Sequence, residues 1–260
     1  AGNNSLRKIS LHAPRGIIYD RYGIPLVDNR QIYDLSVIPF DVTDQFNYSL
    51  LASLTGLSPT ELKKDITGRK KSFHRFRPHT IERHIDFELR SHLEENKLDF
   101  PGTIFSEFPV RAYPNNARLT HVLGYLRVVA DEYVVQSNKD LNYKSGDVFG
   151  FSGIEKMYES LLRGKDGTEF RLVDTYGIDH GLYEDSPVIQ PITGNELQLT
   201  IDSKLQSRVE DLFVEKKGAV ICMLPQSGEI VAYLSAPDYD LNSFAGPVPI
   251  DLWEVWNTDS

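Results

Sequence analysis

The chain is predicted to be an α+β protein, on three observations. Apolar and polar residues alternate over 31–39, Gln-Ile-Tyr-Asp-Leu-Ser-Val-Ile-Pro, which is the period of a half-buried strand. Ile154, Met157, Tyr158, Leu161 and Leu162 fall at i, i+3, i+4, i+7 and i+8, the period of an amphipathic helix. Near the end, a helical run is followed by two apolar strands joined through Pro225-Gln-Ser-Gly228.

Taken in order, Ala1-Gly-Asn-Asn-Ser5 is polar and reads as an exposed tail, with no signal peptide in it. Residues 13–26, Ala-Pro-Arg-Gly-Ile-Ile-Tyr-Asp-Arg-Tyr-Gly-Ile-Pro-Leu, place a short apolar strand between two tight turns. Gly16 and Gly23 suit close backbone approach or positive φ. Arg15 and Arg21 bracket the strand and suit bidentate pairing to remote carboxylates. The 24–27 segment is expected to pair with 31–39 across Asp28-Asn29-Arg30. Phe46–Leu54 has helical spacing, and Ser58-Pro59-Thr60-Glu61 is a helix start with a serine cap. Residues 68–77, Gly-Arg-Lys-Lys-Ser-Phe-His-Arg-Phe-Arg, form a basic patch, read as a solvated loop. A second helix is predicted over Thr80–Asn96, carrying Ile81, Ile85, Leu89 and Leu93 inward. On it His84, Glu88 and His92 would share one face, a weak metal-site pattern without supporting partners.

Thr103–Phe108 is a predicted strand, followed by Val110-Arg-Ala-Tyr-Pro114, and 116–126 reads as a short helix running into a strand. In the predicted helix after Gly150 and Gly153, Ser152 is the expected cap and Gly164 the expected left-handed terminus. Glu155 and Glu159 lie one turn apart and offer carboxylates to an arginine partner. Thr168–Asp174 is a predicted strand, and 179–195 an inter-domain linker. Asp202 is expected to cap a helix with Leu205, Val209, Leu212 and Phe213 inside, stopped at Gly218. The strands Ala219–Leu224 and Glu229–Ser235 then leave an uncovered hairpin, so the chain is expected to stop inside a domain.

Composition narrows the classes. With 28 basic against 37 acidic residues the net charge is −9, which does not favour nucleic-acid binding. No window approaches 18 consecutive apolar residues, the length of a membrane span. The single cysteine, Cys222, lies in an apolar run and is expected to be buried and inert.

These segments, in this order, resemble a class B high-molecular-weight penicillin-binding protein of the elongation-type, penicillin-binding-protein-2-like branch. Residues 13–26 are similar to the family's first non-catalytic motif, Arg111-Ala-Tyr-Pro114 to its second, and 150–167 to its third. Leu199-Thr-Ile-Asp-x-x-Leu-Gln206 and Pro225-x-x-Gly-Glu-Ile-Val-Ala232, followed by Ser235-x-Pro237, are similar to the start of its transpeptidase domain, and Asn242-Ser-Phe244 and Trp256-Asn-Thr-Asp259 resemble the segment shortly before that domain's nucleophile. The resemblance implies an elongated pedestal (dimerisation) domain over 1–195, with a head insertion over about 42–109. It implies the first helix and hairpin of an α/β transpeptidase domain over 196–260. Its structural motif residues would be Arg15, Gly16, Asp20, Arg21, Gly23, Arg111, Tyr113, Pro114, Gly150, Gly153, Glu155, Tyr158, Glu159, Gly164 and Gly167.

The resemblance further implies a peptidoglycan D,D-transpeptidase of cell elongation, membrane-anchored upstream and working in the periplasm. Its partners would be peptidoglycan, a lipid-II polymerase and rod-shape scaffold proteins, with no cofactor, metal or nucleic acid. The family's Ser-x-x-Lys, Ser-x-Asn and Lys-Thr-Gly motifs are not usable here. Ser5-Leu-Arg-Lys8 lies in the tail, Lys144-Ser-Gly146 precedes the third motif, and Ser-x-Asn does not occur. No residue is assigned to catalysis, and the nucleophile is expected beyond these residues. The alternative reading is a protein- or peptidoglycan-binding module without catalysis.

Overall fold

The computed structural model describes residues 5–72, 75–129, 143, 147–173, 179–183 and 186–244. In chain order its first elements are β1 (Ser5–Leu11), β2 (Ile18–Tyr19), β3 (Pro25–Val37), α1 (Tyr48–Thr55), α2 (Pro59–Lys70), β4 (His79–Ile85), α3 (Phe87–Glu95) and β5 (Thr103–Ala112). Then come α4 (Thr120–Leu123), β6 (Leu126–Val128), β7 (Val148–Gly150), α5 (Gly153–Met157), α6 (Glu159–Leu162), β8 (Gly167–Val173) and β9 (Asp179–Leu182). The last are β10 (Leu197–Gln198), α7 (Ser203–Leu212), β11 (Gly218–Met223) and β12 (Ile230–Ala236). The fold is α+β.

The chain divides into two compact units. One comprises Ala1–His12, Gln31–Pro109 and Asp166–Gln190; the other Ala13–Arg30, Val110–Lys165 and Pro191–Ser260. In the first unit, β1 pairs antiparallel with β8, and β8 with β9. The later half of β3 pairs antiparallel with β4, and α1, α2 and α3 complete a core around Leu35, Leu51, Ile66, Leu93 and Phe100. Asn47 starts α1 by accepting from the Leu50 amide, and Gly56 ends it in the left-handed region. In the second unit, β2 lies between β10 (parallel) and the start of β3 (antiparallel). Its core joins Ile18, Leu26 and Val27 to Leu119, Leu123, Leu162, Ile201 and Leu241.

Several predicted elements differ, each for a physical reason. Residues 28–30 do not turn, because β3 runs straight through them while the Asn29 side chain is bonded on both sides, to the Arg15 carbonyl and to Arg111. The helix predicted over 80–96 is a strand followed by a helix. Thr80, Ile81 and Ile85 favour extended backbone, and the helix begins only after Asp86, whose carboxylate accepts from the Leu89 amide. His84 therefore sits on β4 with φ 60° and does not share a helical face with Glu88 and His92. The predicted linker contains β9, whose backbone pairs with β8. Ser58 holds the N-cap position of α2, yet its hydroxyl bonds Thr60 and no amide. Ser152 likewise caps nothing with its side chain.

Helix faces were the least legible feature. The predicted helix over 154–162 breaks at Tyr158, and Met157 is 80% exposed while Glu155 is fully buried. In α7 the buried residues are Ser203, Gln206 and Glu210, with Leu205 and Leu212 outside. The helix stops at Leu212, and Gly218 instead opens β11. Gly164 is not in the left-handed region, and Cys222 is only partly buried. The sequences resembling motifs at 144–146 and 256–259 lie outside the described residues.

Candidate functional site

Four charged side chains converge in the second unit. Arg15 precedes β2, Arg111 is near the end of β5, and Glu155 and Glu159 sit on α5 and α6. Arg15 Nη1 and Nη2 donate to Glu159 Oε1 and Oε2 at 3.1 and 2.7 Å, and Nη2 also donates to Glu155 Oε2 at 2.8 Å. Arg111 Nε donates to Glu155 Oε1 at 2.8 Å. Its Nη2 donates to the Gly16 carbonyl at 2.9 Å, and its Nη1 to Asn29 Oδ1 at 3.2 Å. Asn29 Nδ2 closes the ring on the Arg15 carbonyl at 2.7 Å.

Glu159 accepts twice more, from the Tyr143 hydroxyl at 2.7 Å and from the Gly150 amide at 2.9 Å. Exposure is 0% for Glu155, 4% for Arg111, 6% for Arg15 and 9% for Glu159. Two guanidiniums thus face two carboxylates with water excluded. Charges out of water are tolerated only when paired and hydrogen-bonded. Burial alone would raise the Glu159 carboxyl, but the bonds from Arg15, Tyr143 and Gly150 outweigh it and hold the group below its ordinary value. Burial opposes the Arg15 charge, and the two glutamates overcome that and raise it. Desolvation and Glu159 push the Tyr143 phenol up, so it stays a donor.

Backbone approach explains why glycine flanks this cluster. A β-carbon on Gly16 would lie 1.8 Å from the Asn195 carbonyl oxygen, and one on Gly150 would lie 2.1 Å from that of Glu155. Gly16 also donates its amide to the Leu162 carbonyl at 2.8 Å, which brings the arginine strand against the end of α6.

A second polar hub ties β2 to α7. Asp20 is fully buried and accepts from the Tyr22 and Ile24 amides, both at 2.8 Å, and from the Ser203 hydroxyl at 2.6 Å. Burial would raise the Asp20 carboxyl, but these bonds lower it. A third lies on α7 itself. Glu210 accepts from the amides of Arg118 and Leu119, while Gln206 exchanges bonds with both backbone groups of Tyr233 on β12.

Of the residues singled out in the sequence, Arg15, Gly16, Arg111, Gly150, Glu155 and Glu159 meet at the cluster. Arg21 does not: it reaches Glu229 at 3.3 Å near the surface. Gly23 lies in the turn after Asp20, and Gly153 opens α5. Gly164 passes close to the Ile192 carbonyl, and Pro114 is exposed. Tyr113 is buried and exchanges backbone bonds with the Asn242 amide group. Tyr158 is the break between α5 and α6, and Gly167 begins β8 in the other unit. Sequence reasoning missed Asn29, Tyr143, Ser203 and Glu210, and met Gln206 only as the end of a stretch resembling the transpeptidase domain, with no bonding role. Only Asn29 had a signal, a polar triplet inside an otherwise continuous strand pattern. The four charged groups of the cluster are buried and paired with one another, so the arrangement fastens distant segments together.

A model of the family described as "Penicillin-binding Protein dimerisation domain" matches residues 10–199. A peptidoglycan D,D-transpeptidase MrdA of Salmonella typhimurium is 35% identical over 251 residues, covering 94% of this chain and 39% of the relative. That of Escherichia coli K12 is 32% identical over 249 residues, covering 94% and 38%. The chain therefore spans about two fifths of the length of these relatives. Among solved structures, the complex of penicillin-binding protein PBP2 with MreC from Helicobacter pylori superposes with a TM-score of 0.72 at 27% identity, covering 99% of this chain and 47% of the other.

Proposed function

This chain belongs to the penicillin-binding protein dimerisation-domain family, and from that premise we propose that it forms the non-catalytic pedestal of an elongation-type peptidoglycan D,D-transpeptidase. The observation that carries the reading is the sealed, charge-balanced cluster of Arg15, Arg111, Glu155 and Glu159. It joins three segments up to 144 residues apart and offers no nucleophile. A stage that holds a catalytic domain needs such fixation, and an active site needs access.

In this reading residues 1–195 are the pedestal, 42–109 its head insertion, and 196–260 the first part of the transpeptidase domain. The acylating serine is supplied by sequence outside these 260 residues. The whole protein cross-links stem peptides through a serine acyl-enzyme on the outer face of the cytoplasmic membrane, held by an upstream anchor. Among the described residues no helix is long and apolar enough to cross a membrane. A rod-shape scaffold protein is the proposed partner, by analogy with the Helicobacter pylori complex with MreC, together with a lipid-II polymerase. A fluorescent penicillin tests the proposal. The 260-residue chain is expected to stay unlabelled, and a chain extended to the relatives' length to label at one serine. Stoichiometric labelling of any serine within 1–260 would overturn it.

A further inference from the structure

The chain leaves β12 along a strap, 237–242, that is fastened to the stretch 113–121 of the same compact unit, 116 to 129 residues earlier. Tyr113 donates its amide to Asn242 Oδ1 at 3.1 Å, and Asn242 Nδ2 donates to the Tyr113 carbonyl at 3.3 Å. The Thr120 hydroxyl donates to the Tyr239 carbonyl at 2.7 Å. His121 Nε2 lies 3.2 Å from the Pro237 carbonyl oxygen, and its ring meets that of Tyr239 edge-on at 5.8 Å. The Arg118 guanidinium pairs with Asp238 at 2.8 Å. Between these contacts Leu241, 1% exposed, packs into the core with Ile18, Tyr113, Leu119 and Leu123.

The stretch that receives the strap is itself held in shape. Leu119 has φ 46°, a left-handed backbone that a leucine keeps only when its surroundings impose it. The buried Glu210 carboxylate does so by accepting from the consecutive amides of Arg118 and Leu119. The strap therefore lies on a fixed bed, bonded along its length, where a connecting segment would ordinarily bond water.

We propose that Thr120 and Asn242 are positioning residues for acylation, fixing through the strap where the chain enters the part of the transpeptidase domain that carries its serine. The inference rests on the transpeptidase reading, in which Asn242-Ser-Phe244 shortly precedes the nucleophile. A nucleophile must rest about 3–3.5 Å from the carbon it attacks, and a displacement of about 1 Å, even one caused far away, can cost roughly a hundredfold in rate. A strap that merely glued the unit together would change how much protein folds. A strap that positions the serine changes how fast the folded protein reacts.

The test is stopped-flow acylation of the whole protein, at the relatives' length, by a fluorescent penicillin. In that step the serine Oγ bonds the lactam carbonyl carbon, the lactam C–N bond opens, and the ring nitrogen takes up the proton the serine loses. The concentration dependence separates the dissociation constant of the first complex from the rate constant of bond formation, and the end-point gives the reactive fraction. Thr120→Val keeps the shape and removes the hydroxyl, and Asn242→Ala changes an exposed side chain, so the core is left intact in both. Each is expected to label to the wild-type end-point with an unchanged dissociation constant and a rate constant about threefold to tenfold lower, as one lost hydrogen bond would give. Thr120→Ser is expected to restore the rate. Hydrogen exchange of the 239–243 amides in the 260-residue chain is expected to quicken in Thr120→Val. Wild-type rates in both variants would overturn the proposal, as would a lower end-point at an unchanged rate, no rescue by serine, or unchanged exchange. Labelling of the wild type with unaffected variants defeats this inference alone. A whole protein that takes no label defeats the transpeptidase reading, and this inference with it.

Discussion

Glu155→Gln isolates the charge at the centre of the clasp while keeping its shape. Glu155 is fully buried and receives Arg15 at 2.8 Å on one oxygen and Arg111 at 2.8 Å on the other. Glutamine offers one acceptor and turns an NH2 group toward a guanidinium, leaving two buried cations against one carboxylate. Breaking a buried pair by neutralising one partner costs about 3–5 kcal/mol. At roughly 2–4 °C per kcal/mol for a unit of this size, the melting midpoint should fall by about 6–20 °C. The internal control is Glu229→Gln, which removes the half-exposed partner of Arg21 and should cost about 0–1 kcal/mol. Differential scanning calorimetry of the three proteins at pH 7 decides. If the Glu155 variant melts with the Glu229 variant, the charges do not fasten the unit and the pedestal argument loses its basis.

Acid should loosen the same unit. Glu159 and Asp20 are held below their ordinary values by donors that fold with them. Their contribution is therefore complete above the unfolded carboxylate range and is lost as pH falls through the lower folded values. Melting midpoints should be level near neutrality and drop below about pH 4, and Glu159→Gln should flatten that drop while lowering the plateau; an unchanged acid limb in the variant would remove Glu159 from the account. Gly16→Ala would set a β-carbon 1.8 Å from the Asn195 carbonyl, so the strand must shift away from the cluster. A loss of at least about 1–3 kcal/mol in urea unfolding is expected, and a stability equal to wild type would show that this close approach is dispensable.

What could be read from the sequence followed from the kind of pairing each residue makes. Arg15 and Glu155 were legible because a guanidinium and a carboxylate each need an opposite charge when buried, and few candidates lay in comparable motif-like stretches. The partners of Glu210, Gln206 and Asp20 were not, because they are mostly backbone amides of Arg118, Leu119, Tyr233, Tyr22 and Ile24, which every sequence supplies everywhere. The same fact inverted the helix faces. Hydrophobic periodicity assigns Leu205 and Leu212 to the interior of α7, yet Ser203, Gln206 and Glu210 are inside: Ser203 donates to the buried Asp20 carboxylate, while a loop and a strand present backbone amides to Glu210 and Gln206. Satisfying those amides is obligatory, since each left bare would cost about 1–3 kcal/mol. Burying a leucine earns a comparable amount, about 1.5–3 kcal/mol, so periodicity alone does not decide which face goes in. Asn29 marks the limit of local reading. Its triplet looks like a turn in isolation, and becomes the joint between Arg15 and Arg111 only when a strand 82 residues away reaches it.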